Sequence, residues 1–195
     1  MVKAKKRWAK RIAAVALACA LGTGAVGALV GCSSDSKSNS DEMSVAWTSN
    51  AGEYNLDPTN NYMGWQGSYL GIYEQLFRID VNFDPQPMLA ESAEMVNDTT
   101  WKITIREGVT FQNGNELNAQ AVADCLNRTI SMNERAKKSL DIANMEADGN
   151  VLTVTTNSLN TAFKNELSEP VASIIDVNSG AAEDEPVGTG PYKID

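Results

Sequence analysis

Three thiols, a scatter of carboxylates and no histidine bound the covalent and acid–base chemistry open to this 195-residue sequence. Without His there is no Ser–His or Cys–His nucleophile, no imidazole base, and the commonest metal ligand is missing. Asp80 and Asp84 are the best placed carboxylates for paired acid–base work, but an exposed acidic turn explains them better. These residue types therefore lead to no catalytic residue, no metal ligand and no cofactor. Cys125 falls on the apolar side of an expected helix and reads as a small core residue.

The thiol with a chemical role is Cys32. Residues 1–11 hold Lys3, Lys5, Lys6, Arg7, Lys10 and Arg11 without an acid, and residues 12–30 run uncharged and mostly small or aliphatic. That order is a secretory signal. A retained membrane helix is the alternative, but 19 residues reach only roughly 28 Å, and Gly22, Gly24 and Gly27 weaken it. Leu29-Val30-Gly31-Cys32 is similar to the bacterial lipobox, in which the Cys thiol takes a lipid and cleavage falls just before it. Several acyl chains, at about 0.8 kcal/mol per buried methylene, give lasting attachment. With Cys32 acylated, Cys125 has no disulfide partner. The expected division is a signal at 1–31, a Ser-rich tether at 32–42 and a folded domain at 43–195. The product is exported and lipid-anchored on the outer face of the cytoplasmic membrane, or in the periplasm.

Six of the 16 basic residues sit in the signal, and all 25 acidic ones follow Cys32. That leaves ten basic residues against 25 acidic ones, a formal charge of −15, which argues against nucleic acid as a partner.

The elements that would carry a site follow from pattern. Residues 43–48 read as an opening strand and 49–55 as a polar loop, with a turn at Leu56-Asp57-Pro58. Tyr69, Leu70, Tyr73, Leu76 and Phe77 are spaced for an amphipathic helix over 67–77, its aromatics in the core. Strict alternation makes residues 101–106 a half-buried strand, partnered by 94–96 across the Asn97-Asp98-Thr99 turn. Asn113-Gly114 is a tight turn, and Asn118 caps a helix whose inner face is Ala119, Val122, Cys125, Leu126 and Ile130. Asp148-Gly149-Asn150 joins a hairpin of 144–147 and 151–156; Leu159, Phe163 and Leu167 give a short helix ending before Pro170. Residues 193–195 read as the start of a strand. Strands and helices without regular βαβ order make the class α+β.

Three stretches together resemble the family 5 extracellular solute-binding proteins, the peptide and nickel receptors of ABC importers. They are Leu56-Asp57-Pro58 with Tyr73-Glu74-Gln75-Leu76; Leu89-Ala90-Glu91-Ser92 through Trp101 to Arg106, Gly108-Val109-Thr110-Phe111 and Asn113-Gly114 to Ala119-Gln120-Ala121-Val122; and Pro186-Val187-Gly188-Thr189-Gly190-Pro191-Tyr192. The family often has His-Asp-Gly where this chain has Gln112-Asn113-Gly114, and an acid in the capping box where it has Ala121. The resemblance implies a mixed-sheet first lobe of a two-lobed, periplasmic-binding-protein-like fold (type II, cluster C), incomplete at its C-terminus.

It further implies a monomeric receptor, without catalysis, that captures an oligopeptide or related small solute for an ABC permease. An extended peptide would be held mainly through its backbone. Candidate contacts are Asn50, Glu53 and Tyr54 in the loop after the first strand, with Trp65 nearby. The alternatives are an enzyme, disfavoured by the missing His, and an anchored fragment without transport activity.

Overall fold

The computed structural model describes Val45, residues 55–180 and residues 185–194. The expected signal, Cys32 anchor and tether, the expected strand at 43–48 apart from Val45, and loop residues 49–54 lie outside the described residues. Every element below belongs to the unit Ser49–Asp195.

The first element corrects the sequence reading. Helix α1 spans Asn61–Tyr69, ahead of the expected 67–77. It stops because Gly71 takes a left-handed φ of 72°, while the N–H groups of Leu70, Gly71 and Ile72 donate to the last-turn carbonyls of Gln66, Ser68 and Gly67. Tyr73, Leu76 and Phe77 are buried as expected, but from a non-helical segment, and Tyr69 is 67 % exposed rather than in the core. Two apolar runs at chance helical spacing straddle the stop signal.

Strands β1 (Phe77–Ile79) and β2 (Pro85–Pro87) form an antiparallel pair. Between them the Asp80 carboxylate accepts the N–H groups of Asn82 (2.8 Å) and Asp84 (3.0 Å) and the Gln86 amide (3.0 Å). Asp84 supplies its backbone rather than its carboxyl, so the pair shapes an exposed turn, as expected.

Strands β3 (Ala90–Asn97), β4 (Thr100–Ile105), β5 (Ile142–Asp148) and β6 (Val151–Thr156) make one sheet in the order β3-β4-β6-β5, antiparallel throughout. Alternation decides its faces: Trp101, Ile103, Ile105, Leu152 and Val154 are buried, while Lys102 is exposed. Helix α2 (Ala119–Met132) packs on β5 and β6. The Asn118 side chain accepts Ala121 N–H at 3.0 Å, the cap read from sequence. Val122, Cys125 and Leu126 are buried, Thr129 joins them, and Ile130 is half-buried. Asn133 ends α2 and caps an unanticipated helix α3 (Glu134–Leu140), accepting Ala136 N–H at 2.9 Å. Glu134 at its start and Lys137 and Lys138 near its end complement the helix dipole.

The expected short helix is α4 (Phe163–Glu166). Phe163 and Leu167 are buried and the Phe163 ring lies 5.7 Å from Trp101, whereas Leu159 is exposed. Short 3-10 turns at Pro170–Ala172 and Val177–Ser179 follow. Residues 192–194 form no strand.

Candidate functional site

Two places on this scaffold hold irregular backbone in a fixed position. The first is the turn at 55–60, which follows the loop carrying the expected ligand contacts. Arg128, on α2, meets Asp57 through both guanidinium branches: Nη1 donates to Oδ1 at 3.0 Å and Nη2 to Oδ2. Thr59 donates to the same carboxylate from its N–H (2.8 Å) and its hydroxyl (2.7 Å). Burial alone would raise the Asp57 carboxyl, but Arg128 and Thr59 outweigh it and hold the group below its ordinary value. Asn133 Nδ2 donates to Thr59 O at 3.0 Å, so the α2–α3 junction grips the turn too. The buried Tyr73 hydroxyl lies against the carbonyl oxygens of Leu56 (2.7 Å) and Gly64, tying the turn to α1.

The second place is the seam where residues 186–192 cross Gly71–Glu74. Gly190 N–H donates to Ile72 O (3.0 Å) and Tyr192 N–H to Gly71 O (3.1 Å). The Thr189 hydroxyl donates to the Glu74 carboxylate at 2.8 Å. The backbones approach so closely that a Cβ on Gly188 would sit 2.1 Å from Ile72 O, and one on Gly190 would sit 2.1 Å from Gly71 O. Only glycine fits at either position. Gln112 Nε2 faces the carbonyls of Ile72 (2.9 Å), Gly190 (3.0 Å) and Tyr192, while its Oε1 accepts Gly188 N–H at 3.3 Å. Below it, the Asp176 carboxylate accepts the amides of Asn113 (2.8 Å) and Asn115 (2.7 Å), and Asp176 N–H donates to Val187 O (2.8 Å). Burial pushes the Asp176 carboxyl up, and these neutral donors more than reverse it.

Of the expected site residues, Asn50, Glu53, Tyr54 and Cys32 lie outside the described residues. Trp65 is half-buried on α1, packs against the core, and carries the Arg135 guanidinium 5.4 Å from its ring centroid. Its Nε1 is buried, with no hydrogen-bond partner among the described residues. Cys125 is buried, and that burial raises its thiol to about 11, so it is chemically quiet at neutral pH. Sequence reasoning missed Arg128 and Gln112. A lone Arg beside the apolar stripe of α2 was the available signal for the first; for the second, it was the departure from the family's His.

The chain matches the family model "Bacterial extracellular solute-binding proteins, family 5 Middle" over residues 84–195. A nickel ABC transporter structure from Bacillus halodurans is 39 % identical with a TM-score of 0.69, over 73 % of this chain and 30 % of that one. NikA from Staphylococcus aureus in complex with Ni(L-His)2 is 30 % identical with a TM-score of 0.69, again over 73 % and 30 %. The glutathione-binding protein GsiB of Escherichia coli strain K12 is 34 % identical, over 64 % of this chain and 26 % of that relative. The chain thus spans about a quarter of that curated relative's length. The solved neighbours are two-lobed receptors, and this chain corresponds to part of one. It belongs to the bacterial extracellular solute-binding proteins of family 5.

Proposed function

We propose that this chain contributes part of the first lobe of the solute receptor of an ABC importer, lipid-anchored through Cys32 outside the cytoplasmic membrane. The family match carries this reading. Export and anchorage are supported by the basic and apolar segments leading to Leu29-Val30-Gly31-Cys32. The solute is peptide-like: glutathione, which gives GsiB its name, is a small peptide. The contacts are assigned to Asn50, Glu53, Tyr54 and Trp65, the first three of which directly precede the Asp57 turn in sequence.

A chelated nickel ion is the second reading, favoured by the NikA likeness. This sequence has no histidine, so this part of a receptor would offer such a cargo no imidazole; in the NikA complex the nickel is bound by L-His.

Uptake of labelled glutathione, mixed dipeptides and nickel–histidine by cells lacking the gene separates these readings. Loss of one uptake, restored by the gene but not by Cys32→Ala, is the expected result. Unchanged uptake of all three overturns the transport role. Undiminished fatty-acid labelling of Cys32→Ala overturns the anchor.

A further inference from the structure

The seam at 186–192 is held by one side chain in an unusual way. Gln112 is separated from its contacts by 40 to 80 residues of chain, yet it meets four backbone groups across two segments. Its Nε2 lies among three carbonyl oxygens, from Ile72, Gly190 and Tyr192. Its Oε1 takes the N–H of Gly188, and its own backbone N–H donates to Gly188 O at 2.9 Å. A carboxamide offers a donor and an acceptor on one planar group without charge. A carboxylate of the same shape would aim lone pairs at three carbonyls, and a neutral imidazole would have one N–H to share. Gly188 and Gly190 leave no room for a side chain of the crossing segment that could replace these contacts.

We propose that the Gln112 carboxamide is the positioning residue of this seam, a neutral clasp that makes residues 186–192 move as one body with Gly71–Glu74. Resting on the receptor reading, the consequence is that the hinge motion of a two-lobed receptor does not fall within the seam. The clasp itself needs no solute, so its failure and the failure of that reading are separate results.

Amide hydrogen exchange on the full chain tests it, comparing Gly188, Gly190 and Tyr192 with the amides of β4 and β6. Gln112→Glu keeps the shape and replaces the donor by a repelling oxygen. Exchange at the three seam amides should rise at least about tenfold, equivalent to about 1.4 kcal/mol of local opening, while the sheet amides stay within about twofold. Gln112→Met removes donor and acceptor without adding charge and should give the same local pattern, about threefold, even if the Glu variant fails to fold. Seam amides unchanged in both variants, or sheet amides accelerated in proportion, would show Gln112 to be an ordinary contributor to stability and overturn the clasp.

Discussion

The turn at 55–60 and the seam at 186–192 perform the same task by opposite chemistry. The turn is gripped by a charge pair, with Asp57 fully inside and Arg128 reaching partly to solvent, their side chains 2 % and 18 % exposed. The seam is gripped by neutral amides and by backbone contact that only glycine permits. Its carboxylates too meet neutral donors: Asp176 faces Asn113 and Asn115, and Glu74 the Thr189 hydroxyl. The turn should therefore be sensitive to loss of one partner and the seam to added volume, while Asp57 and Asp176, both held below their ordinary values, give each region an acid response.

The largest effect is expected at Arg128→Ala. Removing the cation leaves the Asp57 charge buried without its partner, a loss of about 3 kcal/mol, measurable by urea denaturation. The same pair sets an acid response. A carboxyl held below its ordinary value gives stability that is present above the unfolded pKa and lost as pH falls through the folded one. Wild-type stability should accordingly decline below about pH 4, and the decline should be shallower in Asp57→Asn. Equal acid sensitivity in both proteins would remove the charge pair from the explanation.

Next is Gly190→Ala. A Cβ 2.1 Å from Gly71 O forces two backbones apart, and about 2 kcal/mol should be lost, with little change in acid response. Asp176→Asn is expected to cost least, about 1 kcal/mol, because its amide oxygen can still accept from both Asn113 and Asn115, which share Oδ2, while the Asn178 N–H loses its acceptor at Oδ1. If Asp176→Asn cost more than Arg128→Ala, the contrast between the two regions would collapse.

The sheet, the Asn118 cap and the Asp148-Gly149-Asn150 hairpin were legible because each rests on local pattern. Alternation across Trp101, Lys102 and Ile103 sets the sheet's faces, and Asn118 bonds three residues ahead. Helix α1 was misplaced because Tyr69 and Tyr73 share a helical spacing across Gly71, whose left-handed φ no periodicity records. Helix α3 was missed because its buried residues are just Ala136 and Leu140, too few for a stripe. The two grips were invisible for a different reason. Asp57 and Arg128 are 71 residues apart, and Gln112 and Tyr192 are 80 apart, so only the fold brings them together. The expected contacts Asn50, Glu53 and Tyr54 rest on position in a loop of the sequence and lie outside the described residues.

On the receptor reading proposed above, this chain contributes one wall of a solute-binding cleft. Calorimetric titration of the full chain with glutathione, a mixed dipeptide pool and Ni(L-His)2 tests it most directly. One wall leaves most of a small solute in water, so the account predicts dissociation constants weaker than about 100 μM for all three. Binding at about 1 μM or tighter to any of them would contradict it, and would make residues 1–195 a self-sufficient binding module.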